Sequence, residues 1–88
     1  MFSAVIDVAP LKEYRLRLKF KNGEEKIFDM KPYLETGIFK ALKDEKIFKT
    51  IKVGFDTVEW ANEADIDPET LYHEGVALEN NNLSINLP

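Results

Sequence analysis

Between Tyr14 and Lys21 the chain alternates residue by residue. Tyr14, Leu16, Leu18 and Phe20 fall on one side, and Arg15, Arg17, Lys19 and Lys21 on the other. A period of two marks a strand with one face on a core and one in water. Asn22-Gly23 follows directly. Both residue types tolerate positive φ, so the pair reads as a hairpin turn, with residues 24–30 as the returning arm. A two-residue turn would set Lys21 opposite Glu24 and Leu18 opposite Ile27. One bulged residue would set Lys19 opposite Glu25 and Leu16 opposite Phe28. The residues leave both registers open, and a one-residue slip exchanges the two faces of a strand.

A second organised stretch runs from Trp60 to Tyr72. Val58-Glu59-Trp60 closes a strand, with the sole tryptophan on the same face as Val58. Asp67-Pro68 then reads as a helix start. The aspartate can accept from unpaired N–H groups of the first turn, and proline has no N–H to lose there. Glu69 suits the positive end of the helix dipole. Gly75 reads as a left-handed stop, which gives a short helix over residues 68–74. Asp65, Asp67 and Glu69 also alternate as oxygen ligands would. A calcium loop needs glycine at its sixth position and glutamate at its twelfth. Counted from Asp65, those positions hold Thr70 and Val76, so capping is the preferred reading.

Residues 4–10 read as a first strand that Pro10 ends or confines to an edge. Pro32 starts a helical turn with Asp29 or a neighbour as its cap. Apolar residues at 38, 39, 42 and at 47, 48, 51 give short helical pieces interrupted at Asp44. Lys40, Lys43, Lys46, Lys49 and Lys52 would form a ridge only on a continuous helix, so they read as solvated. Residues 52–55 and 57–60 form a second hairpin about Asp56-Thr57, expected to add two strands to the first sheet. Leu83, Ile85 and Leu87 alternate after an asparagine run and read as a last strand or an arm pairing with another chain. The expected architecture is α+β: a small, mainly antiparallel sheet built from two β-hairpins, with short helices on one side. Residues 1–79 form one domain and 80–88 a tail or arm.

Charge is laid out unevenly. All twelve bases lie between Lys12 and Lys52, against seven acids, for +5; residues 53–88 carry eight acids and no base. The two halves are expected to neutralise each other in part, since a nucleic-acid binder is usually net basic. The chain has no cysteine, which excludes disulfides, thiolate chemistry and cysteine-held zinc. No run approaches the ~20 apolar residues of a membrane span, and the first residues do not resemble a signal peptide. A cytoplasmic protein is expected.

Catalytic groups are scarce. His73 is the sole histidine, near a helix end; Ser3 and Ser84 lack the context of a nucleophile. The four glycines are scattered as turn residues, not gathered as a phosphate loop. The expectation is a non-enzymatic chain with no cofactor and no metal. The cationic face Arg15, Arg17, Lys19 and Lys21 could lie along phosphates. With Trp60 and Asn62 it makes up the candidate surface for a partner protein or nucleic acid.

Taken together, Tyr14 to Glu24, Phe28 to Leu34, Phe48, and Trp60 to Tyr72 resemble a small bacterial family, the domain of unknown function 2442. The resemblance covers about residues 4–78. Two positions depart: Ala61 stands where the family often has proline, and Glu63 where it often has glycine. The resemblance implies a compact α+β domain and supplies no catalytic or binding residues. Some relatives carry a helix-turn-helix after this domain, and others look like partners of neighbouring small proteins in suspected toxin–antitoxin pairs. The expectation is a non-enzymatic interaction module, an accessory or antitoxin-like subunit for a small partner protein. A homodimer through residues 83–88 is a further expectation, and a nucleic-acid-contacting regulatory domain is the alternative.

Overall fold

The computed structural model describes residues 3–78. Its main sheet contains β1 (Val5–Leu11), β2 (Arg15–Phe20), β3 (Glu25–Asp29) and a two-residue strand near the end of the described chain. β2 and β3 form the expected hairpin in the bulged register, Leu16 opposite Phe28 and Lys19 opposite Glu25. Phe20 and Glu24 close the loop: the Phe20 N–H donates to the Glu24 carbonyl at 2.8 Å, and the Gly23 N–H to the Phe20 carbonyl at 2.9 Å. Gly23 has φ +93°, a conformation that costs glycine little. Holding Lys21, Asn22 and Gly23 in the loop selects the register. Leu16, Leu18, Phe20, Phe28 and Met30 then all turn to one side and are buried.

Tyr14 is not part of β2. It closes a 3-10 turn, Lys12–Tyr14, in which Glu13 and Tyr14 have φ of 61° and 59°. Its ring still reaches the core, edge-on to Phe48 at 5.3 Å, and its hydroxyl donates to the Lys43 carbonyl.

β1 is an edge strand. It pairs antiparallel with β2, with a bulge between Val5 and Asp7. Ladder bonds alternate in direction along such a pair. Tyr14 and Phe20 bond towards β3, so Leu16 and Leu18 do the same. Their opposite residues, Pro10 and Val8, turn their backbone groups outward. The N–H that proline lacks is therefore missing from the free edge and not from the ladder. At the other side β6 (Val76–Ala77) pairs with β3, Val76 opposite Ile27, for the order β1-β2-β3-β6.

The second hairpin corrects an expectation. β4 (Lys52–Gly54) and β5 (Thr57–Glu59) pair with each other but stay a separate two-stranded ribbon. One backbone bond ties the ribbon to the sheet, from the Val5 N–H to the Asp56 carbonyl at 3.0 Å. The bulge and Pro10 leave β1 without the regular outward row that a fifth strand would need. The turn is also one residue earlier than expected, at Phe55-Asp56, with φ of 46° and 72°.

Helical segments pack against the sheet and the ribbon. The 3-10 pieces Lys31–Tyr33 and Gly37–Lys43 precede α1 (Glu45–Phe48), and Asp44 starts α1 by accepting from the Lys46 N–H at 2.9 Å. Asp29 accepts from the Lys31 N–H at 2.9 Å, as expected of a residue before Pro32. α2 (Pro68–Glu74) has the expected bounds, and Asp67 accepts from the Glu69 N–H at 2.9 Å. Gly75 is not left-handed; its φ is −67°. Glycine is required there for space, because a Cβ would lie 2.8 Å from the Leu71 carbonyl oxygen and 3.0 Å from Lys26 Cβ.

The core joins all these elements. Leu16, Leu18 and Phe20 meet Phe28, Met30, Leu42, Phe48, Val58, Trp60 and Leu71, all buried. Each full burial of such a side chain is worth roughly 1.5–3 kcal/mol. No helix among the described residues is long and apolar enough to cross a membrane. The segment 83–88, expected as a strand or exchanging arm, and the domain boundary after residue 79 lie outside the described residues.

Candidate interaction surface

Directly opposed residues of an antiparallel sheet share a face. The outer face therefore carries the row Asp7, Lys19, Glu25; the row Ala9, Arg17, Ile27, Val76; and the row Leu11, Arg15, Asp29. The four expected cations do lie together along β2 and its loop. However, acids of β1 and β3 border them on both sides. Arg17 pairs with Glu25 at 2.5 Å, and Asn22, beside Lys21, is bonded to Glu24 at 2.7 Å. The cations of β2 thus face Glu25 and Asp29 on the β3 side and Asp7 alone on the β1 side. Phosphates approaching them would meet repulsion chiefly from the β3 side.

Trp60 is corrected as a surface residue, whereas Asn62 is half-buried. Trp60 is 1% exposed, and its indole N–H donates to the Phe48 carbonyl at 3.0 Å. A tryptophan ending a strand on the Val58 face has its area taken by the core. Asn62 serves its own loop: Oδ1 accepts from the Ala64 N–H at 3.2 Å, and Nδ2 donates to the Ile38 carbonyl at 3.4 Å. The arrangement supports Glu63, whose φ is 72°. That is the position where the resemblance led one to expect glycine.

Lys26 faces inward, though it stands in an otherwise apolar row. It is 9% exposed, with Nζ 3.8 Å from the centre of the Tyr72 ring and donating to the Tyr72 carbonyl. The cation thus meets both a ring face and the carbonyl end of α2. The Tyr72 hydroxyl donates to the Glu24 carboxylate, as does Asn22 Nδ2. The Tyr72 hydrogen bond, and then that of Asn22, hold the Glu24 carboxyl below its ordinary value, while the same carboxylate raises Tyr72. Nearby, the Tyr33 hydroxyl donates to Glu74 and is raised by that bond. These contacts clamp α2 onto the first hairpin. Among the described residues no buried side-chain polar atom lacks a hydrogen-bond partner.

The sequence reading missed the apolar residues left outside. Phe55 is 99% exposed at the tip of the ribbon; Ile6 and Val53 are 51% and 38% exposed. The Val5-to-Asp56 bond places the first residues of β1 beside that tip, so the three lie at one end of the molecule. The sequence did hold a signal: an aromatic between Gly54 and Asp56, where a tight turn prefers glycine or asparagine.

No curated protein and no solved structure matches the chain. The family model described as protein of unknown function DUF2442 matches residues 5–77. The match opens at Val5, where β1 begins, and closes at Ala77, where β6 ends; the chain belongs to that family.

Proposed function

We propose that this chain is a non-enzymatic interaction module of the cytoplasm, an accessory or antitoxin-like subunit that binds a small partner protein. The observation that supports it is Phe55. A bulky residue with positive φ carries a backbone penalty of roughly 1–2 kcal/mol, and a ring 99% exposed offsets none of it by burial in its own chain. Large aromatic anchors dominate the energetics of protein interfaces. Ile6 and Val53 are further exposed apolar residues at that end of the molecule, and Asp56 follows Phe55 in the turn. The outer sheet face lends the nucleic-acid alternative little support, because its cations are bordered by acids.

The test is co-expression with the product of the adjacent gene, tagged on that product. The unmodified chain is expected to co-purify and Phe55→Ala to be lost from the complex. If the unmodified chain is never retained, the reading fails.

A further inference from the structure

The end of β1 away from Phe55 carries a groove of about 520 Å³. Pro10, Leu11, Tyr14 and Phe48 line it, with Lys12 and Lys49 at its rim. It lies between the free edge of β1, the left-handed turn at Glu13-Tyr14, and α1. The volume falls in the range of ligand-sized pockets, about 300–1,000 Å³, and exceeds what one phenyl ring fills.

We infer that this groove receives Phe55 of a second copy of the chain, so that two copies form a symmetric dimer with two ring-in-groove contacts. The inference rests on the reading of Phe55 as a docking residue and adds the regulation of that surface: self-association covers it until a partner displaces the second copy.

Three features select the second copy as occupant. The first is placement. Projecting ring and groove sit at opposite ends of one strand of seven residues, separated by roughly 20 Å at ~3.3 Å per residue. Two copies related by a two-fold axis beside β1, their chains running antiparallel with no ladder bonds between the two edges, set each ring at the other's groove. A two-fold arrangement of this kind closes on itself and does not grow into a filament.

The second feature is charge. Asp56, next to Phe55, would face the groove cations Lys12 and Lys49. Lys52, at the base of the same ribbon, would face Glu45 on the rim. The other rim acid, Glu13, lies 3.7 Å from Lys31. None of Asp56, Lys52, Lys12, Lys49 and Glu45 is in an ion pair among the described residues.

The third feature is area. One projecting ring gives much less than the ~800 Å² per partner of a standard interface. Two rings and two grooves about an axis double the contact.

The experiment is sedimentation of the full 88-residue chain from micromolar to millimolar concentration, with two variants. Phe55→Ala removes the ring, and Leu11→Glu blocks the groove. Circular dichroism first checks that both keep the fold. The expected result is a dimer whose dissociation constant rises about tenfold or more in each variant. An equimolar mixture of the two should then associate more tightly than either variant alone, though less tightly than the unmodified chain, because one ring and one groove survive in the mixed pair. Recovery in the pair Asp56→Lys with Lys12→Glu and Lys49→Glu would supply the same support through charge. A chain monomeric at millimolar concentration overturns the inference. So does a dimer indifferent to Phe55→Ala, one indifferent to Leu11→Glu, since rings would then be meeting each other, or a mixture no tighter than either variant alone. A monomeric chain that still co-purifies with its partner through Phe55 would fail the dimer alone. Loss of both would fail the reading beneath it.

Discussion

The molecule contains two hairpins, and they treat positive φ in opposite ways. In the β2–β3 hairpin the left-handed residue is Gly23, at little cost, and the strands turn Leu16, Leu18, Phe20 and Phe28 into the core. In the β4–β5 ribbon the left-handed residues are Phe55 and Asp56. Val58 is buried there, while the ring at the tip is left in solvent. The first hairpin agrees with the fold in its turn and its apolar face, apart from the inward Lys26. The second departs from it at one position, and local departures of this kind tend to mark functional sites.

Four measurements would break or sharpen that contrast. Phe20→Ala should have the largest effect. It empties a fully buried site of the first hairpin and should destabilise the chain by about 3–5 kcal/mol in urea unfolding; a loss below 1 kcal/mol would deny that this hairpin anchors the core. Gly23→Ala comes next, about 1–2 kcal/mol, because a Cβ must adopt a left-handed φ. Nothing lies within 4 Å of that Cβ, so a measured loss isolates the backbone term. In the second hairpin the sign should reverse. Phe55→Asn puts a residue tolerant of positive φ at the turn and should leave stability unchanged or raise it by up to about 1 kcal/mol. A clear loss would mean that Phe55 serves its own fold.

The smallest effect concerns pH. The Tyr72 and Asn22 hydrogen bonds hold Glu24 below its ordinary 4.5. A depressed carboxyl stabilises the folded state above its unfolded value, and that stability fades as pH falls through the lower folded value. Unfolding midpoints of the unmodified chain should therefore drop below about pH 4.5. Glu24→Gln should flatten that part of the curve. Equal slopes in the two proteins would remove Glu24 from the clamp.

Legibility from sequence followed the range of the interactions. β2 was readable because its period is local, and the start of α2 because Asp67-Pro68 fixes it within two residues. The hairpin register was not, since it turned on whether Gly23 joins Lys21 and Asn22 in the loop. The separation of the second ribbon was missed because it follows from a bulge between Val5 and Asp7 that no residue type announces. The inward turn of Lys26 was hidden too, as its partner Tyr72 lies 46 positions away. Among the expected surface residues, the four cations were placed on the right face, but their acidic borders come from other strands. Trp60 reads as a surface residue from the loop that follows it, while its area belongs to the core. Phe55 was overlooked because the turn was set one residue late, which made the ring an ordinary member of a strand.

Pro10 and the neighbouring bulge have a consequence for how safely the chain can display an aromatic ring. Stacked amyloid strands need a continuous run of donors and acceptors on the growing margin. β1 presents a margin with one donor deleted and one kink inserted. The exposed ring is carried on a tight reversal too short to template cross-β layers. A sticky side chain can thus be shown to a partner by a protein whose edge discourages fibril growth.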